Sequence, residues 1–287
     1  MDYKKFETIL NRHIFSDEKV ELLRKIAERP ERYIGLFRPT KPAAKILQNL
    51  LQSHEIRFGD ALEELFTEII REKGFTNLPK DLYINDEKLS LDQYFTDGKK
   101  FYFIEQKVRD DHDSTKKRGQ IQNFEKKLEI LYKKHGGVVV GILYFVDPDL
   151  KKNKNFYEKE LLKMEEDYGV PLYLYYGEEL FKKFFRDSKT WKDLIKWLKK
   201  WKNDLPELPE INMDVAPEES AKEIQNLPIR YWRKLLNTPK LWEDGIIRAI
   251  FRTGDTLIIV AQEYINRKEK PYQMIGKKLL ATIKNYY

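Results

Sequence analysis

Nine residues, VVVGILYFV at 138–146, leave the chain few architectures to choose from. A glycine is their only departure from large apolar side chains, so both faces of the strand they predict must be buried, which places it at the centre of a sheet. The segment before it, residues 115–134, carries Ile121, Phe124, Leu128 and Leu131 on one helical face and stops at Gly136-Gly137. A helix delivering the chain into a central strand is half of a right-handed crossover between parallel strands. The expectation is therefore an α/β protein with a mixed sheet.

Upstream lies LSLDQYFTDGKKFYFIEQKVRDDHDSTKKR, residues 89–118. Asp97-Gly98 between two apolar runs predicts a hairpin turn, making the runs that hold Asp92 and Glu105 antiparallel neighbours whose acids can converge. Side chains two apart in a strand share a face, so Glu105 and Lys107 point together while Gln106 points away. Ionised groups at the end of an otherwise apolar run must be paired, bound to metal or close to solvent. Two carboxylates and an amine on a pair of adjacent strands can hold a hard cation and orient a water, the pattern of a metal-dependent phosphodiesterase. Asp86 and Asp97 are weaker candidates for the first acid, because in turn-like sequence Asp usually serves the backbone.

Asp92, Glu105 and Lys107 resemble the motif of the PD-(D/E)xK nucleases, with Leu91 where many members have proline. Gly59-Asp60-Ala61-Leu62-Glu63, followed by Leu65, Phe66, Ile69 and Lys73-Gly74-Phe75, resembles the helix that precedes their catalytic sheet. The resemblance covers residues 57 to about 176. Within the superfamily the chain is most similar to type II restriction endonucleases, including the HinfI type. It implies a restriction-endonuclease-like αβββαβ core flanked by helical N- and C-terminal regions. It further implies Mg²⁺ held by Asp92 and Glu105 with Glu63 as auxiliary ligand, Glu64 or Asp60 being open alternatives, and Lys107 beside the attacking water. The reaction would be sequence-specific cleavage of double-stranded DNA leaving 5′-phosphate ends, in restriction-modification defence. Two rival functions are a structure-selective resolvase or repair nuclease of the same superfamily, and a non-catalytic DNA-binding protein.

Charge and composition bound the partners. The chain has 287 residues and a net charge of +7, so the excess matters through where it clusters. Arg109, Asp111, His112, Asp113, Ser114, Lys116, Lys117, Arg118 and Gln120 follow the catalytic strand directly, and Arg38 and Lys41 lie in a basic connector; all are candidates for DNA contact. Cysteine is absent, which excludes disulfides, thiolate metal sites and cysteine nucleophiles and fits a cytoplasmic protein. His13, His54, His112 and His135 are too scattered for a histidine metal site. The first residues lack an apolar signal core, no run of 18 apolar residues exists, and no phosphate loop or dinucleotide fingerprint occurs. Neither a membrane nor a nucleotide cofactor is therefore expected.

Helices are expected at 17–28, with Ser16 as N-cap, and at 43–51, 58–73, 158–168, 178–185, 191–202, 229–236 and 241–251; residues 256–264 read as strand or helix. The proline-rich acidic stretch 204–217 marks a boundary. The organisation expected is an N-terminal helical region at 1–56, a nuclease core at 57–203 and a C-terminal subdomain at 204–287. A double-strand break at a palindromic site needs two active sites, so a C2 homodimer is expected, joined through the helices before Arg29 or the segment after Pro217.

Overall fold

The computed structural model describes residues 1–35, 37–84 and 87–287, and at 84 and 87 the backbone alone. Asp86 therefore lies outside the described residues. The chain forms two compact units: 1–13 with 58–205, and 14–57 with 206–287. The division falls inside two helices, α1 (Tyr3–Phe15) and α3 (Pro42–Glu72).

The first unit is built on a five-stranded mixed sheet. Its strands are β1 (Thr76–Asn77), β4 (Gln93–Thr96), β5 (Phe101–Lys107), β6 (Val139–Phe145) and β7 (Leu172–Tyr176), in that spatial order. The β1–β4 and β4–β5 pairs are antiparallel; β5–β6 and β6–β7 are parallel. A separate two-stranded ribbon, β2 (Asp81–Ile84) with β3 (Glu87–Ser90), lies in sequence between β1 and β4. Every residue of β6 is buried, as its unbroken apolar run predicts.

Helix α4 (Ser114–His135) makes the crossover from β5 to β6, and α5 (Lys154–Tyr168) the one from β6 to β7. Ile121, Phe124, Leu128 and Leu131 of α4 pack on one face of the sheet with Phe103, Leu143 and Phe145. Aromatic side chains of α3 and the turn after it meet the opposite face, Phe66 against Tyr144 at 5.3 Å and Phe75 against Phe95 at 5.1 Å. Gly141 of β6 permits the close approach on the α4 side. A Cβ there would stand 2.8 Å from Phe103 and Leu172 and 2.9 Å from Phe124. After β7, a wide-turned helix at Leu180–Phe185 leads to α6 (Ser188–Asn203), capped by the Asp187 carboxylate.

The second unit is helical: α2 (Glu18–Glu28), α7 (Pro217–Ile224), α8 (Ile229–Leu236), α9 (Pro239–Glu243), α10 (Ile246–Ile250), α11 (Asp255–Asn266) and α12 (Lys270–Tyr286). Leu22, Leu23 and Ile26 of α2 share a core with Trp232, Leu235, Leu257, Val260 and Leu279. Helices α11 and α12 approach closely at Gly276, where a Cβ would lie 2.6 Å from the Ala261 carbonyl oxygen. Among the described residues no helix is long and apolar enough to cross a membrane.

Three expectations about elements need correction, and one open alternative is decided. The helices expected at 43–51 and 58–73 are one helix, α3; no proline interrupts the residues between, and Asn49 and Ser53 bond back to Lys45 and Asn49 carbonyls without breaking it. The helix expected at 241–251 is two, because Gly245 turns left-handed (φ 74°) between α9 and α10. The N-cap of α2 is Asp17, at φ 54°, instead of Ser16. Residues 256–264 are helix, with Thr256, Leu257, Val260, Ala261 and Tyr264 buried at helical spacing. Helices α1, α7 and α12 fall in the flanks expected to be helical, although no individual spans were expected there.

Candidate active site

The site grows out of the β4–β5 hairpin. Asp97 serves its turn: its carboxylate accepts from the Lys99 and Lys100 N–H groups at 2.9 and 2.8 Å, and Gly98 takes φ +86°. Gln93 pairs with Ile104 and Thr96 with Phe101, so one more step of that register sets Asp92, just ahead of β4, opposite Glu105. The Asp92 carboxylate accepts from the Gln106 N–H at 2.7 Å, which ties it to the partner strand.

Lys107 closes the constellation. Its Nζ lies 3.1 Å from Asp92 Oδ2 and 2.8 Å from Glu105 Oε1. Burial works against this ammonium, but Glu105 and Asp92 outweigh it and hold its pKa above the ordinary lysine value. Glu105 is 2% exposed and has a second cationic partner: Lys127 of α4, 3% exposed, donates to Oε2 and lies 3.9 Å from Asp92 Oδ1. Asn123, one helical turn earlier, stands 3.4 Å from Glu105 Oε1. Breaking such a buried pair by removing one partner generally costs about 3–5 kcal/mol.

Glu63 of α3 lies within electrostatic reach of Asp92 and Lys107. Burial and the Asp92 charge push its pKa up to about 7, opposed by Lys80. Burial lowers the Lys80 pKa, against the pull of Glu63 and Asp92. Helix α3 is tied to the sheet beside Glu63: Gln93 donates to the Glu63 carbonyl at 2.7 Å and accepts from Thr67 at 2.8 Å. Glu64 looks elsewhere, bonded to Arg12 and, at 2.6 Å, to His13; burial opposes its charge, but those bonds prevail and keep its pKa low. Asp60 is exposed.

Carboxylate oxygens are what a hard divalent cation takes. Here Asp92 and Glu105 converge on one cationic atom, the Lys107 ammonium, so the residues present fit such an ion. Among the described residues, no group of three or more His, Asp or Glu side chains stands together as a ready metal cage.

The candidate DNA-contacting residues divide into several groups. Arg109, Asp111, Ser114, Lys116 and Arg118 are exposed. Asp113 caps α4, accepting from the Thr115 and Lys116 N–H groups, and those bonds depress its pKa, the Lys116 bond first. His112 and Gln120 face each other at 3.2 Å, and Gln120 also accepts from the Tyr157 hydroxyl at 2.6 Å. Lys117 sits over the Phe156 ring. Arg38 donates to the Ile34 and Glu31 carbonyls, and both it and Lys41 belong to the other unit.

Beneath the loop is Asp110, fully buried, accepting from Asn153 N–H, Asn153 Nδ2 and the Tyr176 hydroxyl at 2.8, 2.8 and 2.9 Å. Lys127, Asn123, Lys80 and Asp110 were all missed from the sequence. Lys127 alone left a legible signal, a lysine inside the apolar stripe Phe124, Leu128, Leu131.

A mixed five-stranded sheet between helices, with two acids and a lysine gathered at one end of its central hairpin, defines a restriction-endonuclease-like α/β protein. The family model described as type II restriction endonuclease, HinfI, matches residues 2–85 and 76–202, a span that takes in Asp92, Glu105, Lys107 and Lys127. The chain belongs to the HinfI family of type II restriction endonucleases and is a site-specific deoxyribonuclease. No curated protein and no solved structure matches it.

Proposed function

We propose that this endonuclease hydrolyses both strands of its DNA target in a metal-dependent reaction leaving 5′-phosphate ends, with Asp92, Glu105, Glu63 and Lys107 as its catalytic residues. The observation that carries this reading is the convergence of Asp92 Oδ2 and Glu105 Oε1 on a single cation position, now taken by Lys107 Nζ. Asp92 and Glu105 hold Mg²⁺, with Glu63 as the auxiliary ligand. When bound, that ion neutralises developing charge on the phosphodiester and lowers the pKa of a water.

The protein's own groups do the positioning. Lys107 is at the end of β5 and 28% exposed, so its ammonium can leave the carboxylates and orient the attacking water or stabilise the anionic oxygens of the pentavalent transition state. Asp92 is held in place by the Gln106 N–H, and Glu105 by Asn123 and Lys127. Residues 57–203 form the nuclease core, and the loop from Arg109 to Gln120 meets the DNA backbone and bases. The enzyme acts in the cytoplasm as a homodimer.

The test is cleavage of phage DNA into discrete bands by wild type and by Asp92→Ala, Glu105→Gln and Lys107→Ala. Glutamine is used at 105 because alanine would also strand Lys127 in the core. Each variant should keep a wild-type circular dichroism spectrum and lose a factor of about 10² or more in rate. Wild-type cleavage by Asp92→Ala would remove Asp92 from the site.

A further inference from the structure

Lys127 is the least expected group in the site. Its neighbours along α4, Phe124, Leu128 and Leu131, are apolar and fully buried, and a lysine among them is costly unless its charge is used. The charge goes to Glu105 Oε2, with Asp92 Oδ1 at 3.9 Å. Lys107 approaches the same two acids through their other oxygens, Oε1 and Oδ2. The two lysines differ in freedom: Lys107 is 28% exposed on a strand end, whereas Lys127 is 3% exposed and enclosed by the sheet and its own helix.

When a divalent cation takes the edge between Oε1 and Oδ2, Lys107 can withdraw and Lys127 cannot. Resting on the metal-dependent reading above, we propose that Lys127 is a positioning residue and permanent counter-ion that clamps Glu105 through Oε2 and restricts the site to one divalent cation per chain. A second cation would find Oε2 already committed and a fixed like charge beside Asp92 Oδ1. Lys127 itself does not touch DNA; it acts through Glu105.

The proposal is tested by titrating DNA-free, full-length protein with Ca²⁺ in a calorimeter and with Mn²⁺ by electron paramagnetic resonance, neither readout requiring cleavage. Wild type should bind one ion per chain. Lys127→Met should bind the first ion at least about tenfold more tightly or accept a second, because a nearby positive charge is gone. Lys127→Arg, which keeps the charge, should retain a single ion. The double variant Glu105→Gln/Lys127→Met should recover the thermal stability that Lys127→Met alone loses.

Unchanged stoichiometry and affinity in Lys127→Met would show the lysine to be a core filler and overturn the proposal. Two comparable ions bound to wild type would overturn it without any variant needing to fold. Asp92→Ala separates the two readings. Loss of the ion there, with no change in Lys127→Met, defeats only the role of Lys127. Full ion binding and full cleavage by Asp92→Ala defeat the metal site itself.

Discussion

Asp92, Glu105, Lys107 and Lys127 each lie within 3.9 Å of a partner of the opposite sign, and one buried acid outside that cluster does not. Asp110 is held by neutral donors alone, the Asn153 backbone and side chain and the Tyr176 hydroxyl. Burial is the first cause raising the Tyr176 pKa, and its bond to Asp110 adds to it, which keeps the hydroxyl protonated and donating. Replacing Asp110 by alanine strands the Asn153 N–H and the Tyr176 hydroxyl, each worth about 1–3 kcal/mol, and leaves Asn153 Nδ2 only its bond to the His112 carbonyl. The expected result is a urea midpoint shifted strongly downward at an unchanged slope; a shift within error would mean that these bonds contribute nothing net. The sequence shows why some residues could be read and others not. Asp92, Glu105 and Lys107 are legible because strand periodicity and a two-residue turn fix their faces. Asp110 and Lys127 take their meaning from Asn153 and Glu105, 43 and 22 residues away, and no local pattern announces such a pairing.

Among elements, the β5–α4–β6 crossover carries the site, since it brings Asn123 and Lys127 to Glu105. Its tightest point is Gly141, where Phe103, Phe124 and Leu172 leave no room for a methyl group. Gly141→Ala should push α4 outward, costing about 1–3 kcal/mol and slowing cleavage through Lys127, although position 141 touches no catalytic group. A variant with wild-type melting temperature and rate would show that the sheet absorbs the methyl freely. In the helical unit, Asp214 accepts from Thr253, Gly254 and Thr256 N–H groups at the start of α11. Burial raises its pKa, but these bonds outweigh burial and hold it below the ordinary 3.8. A depressed carboxylate stabilises the fold fully above its unfolded value and loses that contribution as pH falls through the folded one. Wild type should therefore lose urea resistance below about pH 4, and Asp214→Asn should lose part of it at neutral pH and fall less steeply on acidification. Parallel curves for the two proteins would remove Asp214 from the account. Long amphipathic helices and the central strand were legible; the join of two expected helices into α3 was not, because nothing in residues 52–57 either demands or forbids a break.

For the molecule as a whole, one active site per chain set against two strands of DNA makes pairing of chains the expected arrangement. Sedimentation should find two chains per cognate duplex; one chain per duplex throughout, with both strands still cut, would rule the homodimer out. Helix α2 shares a core with the helices after residue 213, which periodicity within one segment could not reveal. The parallel half of the sheet has a consequence for which segments can vary independently. Strands β5, β6 and β7 run the same way, so the connections that follow them emerge along one edge, and Asp110 stitches the first two together and to β7. Mutations that lengthen or rewrite those connections leave the strand ladders intact. Because the connections share an anchor, however, they are mechanically one unit. A change that displaces one connection is therefore expected to disturb the other two, while the strand ladders behind them hold.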